Sequence, residues 1–105
     1  MLIAIQVDLL DVLETGELVS IDGLPSGLEL YVRQDSRHAS YAVKNTSRIP
    51  QRCALRFHAS VNAVINCSSL DVAVPSVAAG GAEIVCHLVP TPKTTQWRHV
   101  CEVKT

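Results

Sequence analysis

The chain has 105 residues, of which 48% are hydrophobic and 18% are charged, and its formal net charge is −1. This length and hydrophobic fraction exclude a disordered chain and predict a single domain, residues 1–105, with one core. The basic residues are scattered and aromatic residues are few. The sequence therefore lacks the basic stripe with stacking aromatics that is typical of nucleic-acid binding.

The N-terminal segment lacks the basic stretch and the small-residue cleavage site of a signal peptide. No apolar run approaches the roughly 20 residues that a membrane-spanning helix needs. We therefore expect an intracellular protein, cytoplasmic or cytoskeletal, whose four cysteines are buried thiols. If the domain were secreted, the same cysteines could pair as disulfides, in connectivities that the sequence does not decide.

Residues 1–17 have two interpretations. Alternating apolar residues over residues 3–9 fit a strand, whereas the apolar spacing from Val7 to Leu13 fits a short helix that ends at Gly16. We favour the first interpretation, a strand Leu2–Val7 followed by a turn.

Turn-forming stretches divide the rest of the chain into short apolar runs, at the spacing of roughly 8 to 12 residues that is typical of antiparallel sandwiches and barrels. The predicted strands are Leu18–Ile21, Leu28–Arg33, Ala39–Lys44, Arg52–Ser60, Leu70–Val74, Glu83–Val89 and Trp97–Lys104. The clearest alternation lies in Arg52–Ser60, where Leu55 and Phe57 share one face and Arg52 and Arg56 the other. We predict an all-β fold, an antiparallel two-sheet β-sandwich of about seven to eight short strands with little helix.

The stretch NTSRIP at residues 45–50 predicts a structural loop between two strands. Its Asn, Thr and Ser side chains form local hydrogen bonds to the backbone, and Pro50 cannot donate to a strand ladder. Asn45 and Asn66 each begin a triplet that matches the glycosylation pattern, which matters only in a secreted protein.

No motif in the sequence predicts catalysis. A nucleophilic cysteine needs a nearby histidine, but the pairs in CALRFH, Cys86–His87 and HVC match no local nucleophile signature. Cys53 lies on the apolar face of its predicted strand, where burial makes a thiol unreactive. The AAGGAE stretch predicts a turn and lacks the lysine of a phosphate-binding loop. We therefore predict a protein that is not an enzyme and that needs no cofactor.

Metal sites have weak support. Cys86, His87, His99 and Cys101 could meet if the last two strands pair, but Cys86 and His87 are adjacent and point to opposite faces of a strand. The acidic turns Glu14–Glu17 and Asp22 could converge at one end of a sandwich as calcium ligands. A solvated acidic face is the simpler interpretation, and we predict no metal.

Residues 28–104 resemble the small β-sandwich modules attached to calpain-like cysteine peptidases and related cytoskeletal proteins of protists. The matching features are a strand ending in KN before Thr and Ser, an alternating strand leading to SVNAV, a valine strand, a GG turn and a closing LVPTP…W. The resemblance implies a non-catalytic accessory domain that binds other proteins, at the cytoskeleton. The family's peptidase Cys, His and Asn residues are not recognisable, so no catalytic residue is carried over. The acidic loop by which C2-like calpain domains meet calcium and phospholipid is missing.

We predict a protein–protein interaction or assembly module, the N-terminal domain of a longer protein. An edge strand could add to a partner's sheet or join copies into a homo-oligomer, and end loops could also form the contact. The expected partner-binding residues are Trp97 as an aromatic anchor and Arg48, Arg52 and Arg56 as a basic face for an acidic partner. Core packing of Trp97 and a merely solvated arginine face are the alternatives.

Three other functions stay open at this point. They are a secreted, disulfide-stapled adhesion-type sandwich, a C2-like calcium- or lipid-binding domain, and an enzyme with Cys and His in a cleft.

Overall fold

The computed structural model describes residues 8–35, 37–67 and 69–104, which contain one helix and eight strands. The elements are α1 Leu9–Thr15, β1 Glu17–Val19, β2 Leu28–Asp35, β3 His38–Asn45, β4 Gln51–Arg56, β5 Ala63–Ile65, β6 Asp71–Val77, β7 Ala82–Pro90 and β8 Glu102–Val103. The strands pair antiparallel in a larger sheet of order β1-β2-β3-β7-β5 and a smaller sheet of order β6-β4-β8. The prediction of an all-β two-sheet sandwich is confirmed.

An aliphatic core lies between the two sheets. Leu30 and Val43 of the larger sheet and Leu55 of the smaller sheet are fully buried, as their alternation with polar residues predicts. The aromatic contribution is small: the rings of Phe57 and Tyr41 meet edge to face, with centroids 5.0 Å apart. The core therefore depends on branched side chains contributed by both layers.

The N-terminal segment differs from the prediction. The strand Leu2–Val7 lies outside the described residues, and the turn expected after it is wrong, because Leu9–Thr15 form α1. Asp8 caps this helix by accepting a 2.9 Å hydrogen bond from the backbone N–H of Asp11. The helix packs against the larger sheet, with Val12 as its fully buried side chain. For residues 9–15 the alternative interpretation, a short helix that ends at Gly16, is therefore the one confirmed.

The strand predicted at Arg52–Ser60 is shorter in the structure and ends at Arg56. Phe57 donates its backbone N–H to the carbonyl of Leu70, and the N–H of Ser60 bonds back to the carbonyl of Phe57, which closes a turn. Asn62 then adopts a left-handed backbone with φ of 53°. The chain crosses to the other sheet as β5, a strand that the sequence pattern does not predict.

The strand predicted at Trp97–Lys104 is reduced to the two-residue strand Glu102–Val103. Upstream of it, the chain is held by the β4–β5 connection, because Arg98 pairs with Val61 and Val100 donates its N–H to Ser60 Oγ at 2.8 Å. Residues 97–101 therefore run as a strap along one side of the sandwich, and we call them the C-terminal strap.

The strand predicted at Leu70–Val74 is longer in the structure and continues through Pro75 to Val77. Proline is tolerated because β6 is an edge strand, where its missing N–H leaves no ladder bond unmade. The pairing with β4 shifts register between Gln51 and Cys53, so Val74 and Val77 both reach the core.

The loop from β3 to β4 carries the chain from one sheet to the other and confirms the structural role predicted for NTSRIP. Asn45 is fully buried, and its side-chain NH₂ donates to the carbonyls of Ile49 at 2.8 Å and Val77 at 3.0 Å. Its Oδ1 accepts hydrogen bonds from the backbone N–H and the hydroxyl of Ser47. One asparagine therefore joins β3, the loop and β6.

The smaller sheet covers only part of the larger one. Strand β6 packs opposite β7 and β3, whereas the β1–β2 hairpin faces the C-terminal strap. A sheet of three strands cannot cover five strands of similar spacing. The inner face of the β1–β2 hairpin consequently lines a cleft.

Candidate functional site

The structure places the three arginines of the predicted basic face on β4 and the loop before it. Arg52 and Arg56 are exposed and point outward from the smaller sheet, about 13 Å apart at roughly 3.3 Å per residue. Arg48 is exposed in the preceding loop. Among the described residues, none of the three forms an ion pair within 4.0 Å. Their guanidinium groups are therefore available to bind an acidic partner.

The acidic residues beside this face do not form ion pairs with the arginines among the described residues. Asp71 on β6 lies opposite Arg56 in register, but its carboxylate contacts His58 at 3.0 Å and Lys104 at 3.7 Å instead. Glu102 on β8 is the register partner of Arg56 on the other side of β4. These two described residues do not form an ion pair within 4.0 Å. The face therefore has an excess of positive charge.

A shallow depression of about 450 Å³ lies beside these arginines. Ala54 and Ala73 are cross-strand partners in it, Pro75 follows on β6, and Arg52 and Lys104 also line it. Small side chains let another backbone approach closely, and the two cations would attract an acidic one. We call this surface, Arg52, Arg56, Ala54, Ala73, Pro75 and Lys104, the arginine face.

Trp97 lies in the C-terminal strap and not on the arginine face. It is half buried, packs against the core cluster, and its ring lies 5.4 Å from that of His99. This arrangement fits the alternative role of core packing as well as that of an anchor. Its predicted role as a partner anchor stays a prediction.

All four cysteines lie within the described residues and are free thiols. Burial raises the pKa of Cys53, Cys67 and Cys86, and it raises the pKa of Cys101 to about 12. A raised pKa keeps a thiol protonated near neutral pH and disfavours the thiolate that a nucleophile requires. The structure therefore offers no activated thiolate at these positions.

Ser40 and His87 form a pair that sequence reasoning did not single out. They are cross-strand neighbours on β3 and β7, with Ser40 Oγ 2.7 Å from His87 Nδ1. Ser40 is fully buried, so no substrate reaches its hydroxyl. Burial lowers the pKa of His87, and His38 lowers it further. This pair is a structural hydrogen bond beneath the surface.

A second chain of polar groups lies at the base of the cleft. Tyr41 Oη is 2.5 Å from His99 Nδ1, and His99 Nε2 is 2.7 Å from Gln34 Oε1. The three residues lie on β3, the C-terminal strap and β2. We call them the Tyr41–His99–Gln34 relay. Sequence reasoning missed it because its contacts span 58 and 65 residues, and no local pattern marks a partner at that distance.

Within residues 8–35, 37–67 and 69–104, no group of three or more His, Cys, Asp or Glu side chains could hold a metal ion. No helix in this part of the chain has the length and apolar character needed to cross a membrane.

Comparisons of the chain with protein-family models, with curated proteins and with solved structures find no match. The resemblance of residues 28–104 to calpain-like accessory modules therefore stays a prediction. No relative contributes a residue role to the arginine face or to the relay.

Proposed function

We propose that this chain is a non-catalytic interaction module that binds an acidic segment of a partner protein on its arginine face. The observation that carries the proposal is the pairing of Arg52 and Arg56 on one outward face of β4, without ion-pair partners among the described residues. Guanidinium groups form bidentate hydrogen bonds with carboxylates, so this spacing suits two acidic side chains of an extended segment.

The depression beside the arginines supports the same proposal. Its alanines leave the backbone of the smaller sheet accessible, with Arg52 on the same strand as Ala54 and Lys104 directly after β8. An extended acidic segment would lie along β4 beside it, with Arg48 extending the positive surface beyond Arg52. Electrostatic complementarity of this kind speeds association and excludes basic competitors.

The expected setting is intracellular. The four free thiols support a reducing compartment. The resemblance stated above favours an acidic protein of the cytoskeleton as the partner, with this chain as an N-terminal module of a longer protein. Assembly through an edge strand of the larger sheet, β1 or β5, is a second mode of contact available to the same module.

The test is affinity isolation from cell extract with three purified baits: the native chain, Arg52→Glu/Arg56→Glu and Lys93→Glu/Arg98→Glu. The control double variant makes the same change of charge at exposed residues outside the arginine face. We expect an acidic partner to be recovered with the native bait and the control, and lost with the Arg52/Arg56 variant.

The same capture repeated at rising salt adds a second criterion. Interactions between exposed charges are screened over about 10 Å at 0.1 M salt, so recovery should fall as salt increases. A partner that the Arg52/Arg56 variant retains, or one whose recovery does not depend on salt, would contradict the proposal. Recovery of no partner by the native bait would also count against it.

A further inference from the structure

The cleft beneath the β1–β2 hairpin has the dimensions of a small-molecule site. Its volume is about 460 Å³, within the range of roughly 300 to 1,000 Å³ found for ligand pockets. Val19, Ile21 and Val32 form its apolar wall, and the C-terminal strap forms the opposite wall through His99 and Cys101. The cleft lies between this hairpin and the C-terminal strap.

The relay at the base of the cleft presents a defined hydrogen-bond donor. Tyr41 is only 3% exposed, and burial raises the pKa of its hydroxyl, which therefore stays protonated and donates to His99 Nδ1. Burial lowers the pKa of His99, which favours a neutral ring near pH 7. Because Gln34 Oε1 can only accept a hydrogen bond, the ring proton lies on Nε2. That N–H points to Gln34 Oε1, 2.7 Å away.

Gln34 is the residue of the relay whose place a ligand could take. Its side chain is exposed, at the end of β2 where the strand leaves the core. An exposed amide loses little when it exchanges a protein partner for water. A ligand acceptor could therefore take its place on His99 Nε2–H without unfolding any element.

The charge of the cleft limits the ligand class. Its lining includes the carboxylate of Glu17 and no lysine or arginine. A carboxylate or phosphate ligand would lack a cationic partner and would meet a like charge. Apolar walls with neutral hydrogen-bonding groups such as His99 instead suit an uncharged molecule.

We propose that this cleft binds a small, uncharged, largely apolar molecule whose carbonyl oxygen replaces Gln34 Oε1 on His99 Nε2–H. The wall residues Val19, Ile21 and Val32 would cover its apolar body. This site is separate from the arginine face and does not depend on the proposed function.

The test uses prodan, an uncharged naphthalene ketone whose fluorescence shifts to the blue in apolar surroundings. We expect saturable binding with a blue shift. The matched naphthalene carboxylate, which carries a charge in place of the ketone, should bind at least tenfold more weakly. Binding that is absent up to the solubility limit of prodan, or stronger binding of the carboxylate, would overturn the proposal.

Two variants place the probe in the cleft. Val19→Trp fills the cleft from the β1 wall and should weaken prodan binding at least tenfold. Gln34→Ala removes the competing acceptor and should strengthen binding, by roughly two- to tenfold for one net hydrogen bond. A naphthalene probe without the ketone should gain no affinity from Gln34→Ala, whereas a merely apolar surface would bind both probes more tightly.

Folding of each variant is checked by its melting temperature. Arg52→Glu/Arg56→Glu should bind prodan like the native chain, which separates this proposal from the arginine face. Unchanged binding in folded Val19→Trp, or weakened binding in Gln34→Ala, would contradict the assignment.

Discussion

The space between the two sheets differs between its two sides. On the closed side, β6 and β4 pack over β7 and β3, and Val77 and Leu88 are fully buried. On the open side, the C-terminal strap covers the β1–β2 hairpin, and Val19 and Ile21 remain partly exposed around the cleft. Both sides are built from branched apolar residues on paired strands.

The difference shows that an apolar strand pattern makes a dry core only where a second strand lies opposite. The closed side has such a strand and buries its side chains completely. The open side has only the C-terminal strap, which contributes His99 to hydrogen bonding and leaves space next to it. Stability should therefore be concentrated on the closed side, and the space for a small ligand between the sheets on the open side.

The largest expected effect contrasts Leu55→Ala with Ile21→Ala. Leu55 is fully buried on the closed side, and its truncation leaves a cavity that should lower the free energy of unfolding by about 3 to 5 kcal/mol. Ile21 loses the same number of carbon atoms at the edge of the cleft, and we expect a loss of about 1 kcal/mol. Urea unfolding of both variants measures the difference, and similar losses would contradict the contrast.

A smaller effect is expected at Asn45, whose side chain ties the β3–β4 loop to β6 on the closed side. Asn45→Ala removes the donors to the carbonyls of Ile49 and Val77 and should cost about 2 to 3 kcal/mol. Asn66→Ala is the matched control, because Asn66 is exposed and its Oδ1 accepts from the N–H of His87. The control should lose about 1 kcal/mol or less in the same urea experiment. Equal losses would show that burial of Asn45 does not matter.

The sequence predicts the closed side well because its signal is local. The alternation around Leu55 predicts the strand β4, and the turn residues at 45–50 predict the loop before it. The sequence predicts the helix and the last strand poorly, since the cap at Asp8 and the pairing of Arg98 with Val61 compete with a strand pattern of similar strength.

The two candidate sites also differ in how far the sequence predicts them. Arg52 and Arg56 follow from strand parity alone, so the sequence places them on one outward face. The Tyr41–His99–Gln34 relay depends on how the C-terminal strap crosses the end of the larger sheet. That crossing is fixed by contacts such as Val100 N–H to Ser60 Oγ, 40 residues apart, which no periodicity reveals.

The smallest expected effect is a pH dependence of stability that reports on the relay. Burial lowers the pKa of His99 below the value of about 6.5 that it has in the unfolded chain. As pH falls through that value, the unfolded state binds a proton before the folded state does, so the free energy of unfolding decreases. The stabilisation is complete above pH 6.5 and is lost as pH falls toward the folded-state pKa.

The measurement is urea unfolding between pH 7.5 and 5.5 for the native chain and for His99→Gln. Tyr41 and Cys101 also face the cleft, but burial raises the pKa of both, so they stay protonated across this window. Burial and His38 lower the pKa of His87 as well, so His87 contributes to the same loss of stability, and His87→Gln measures that contribution separately. Each single variant should show a shallower decrease than the native chain. A native chain that becomes more stable on acidification, or a slope that His99→Gln leaves unchanged, would mean that the relay does not hold His99 neutral, and the donor offered to the cleft would have to be assigned again.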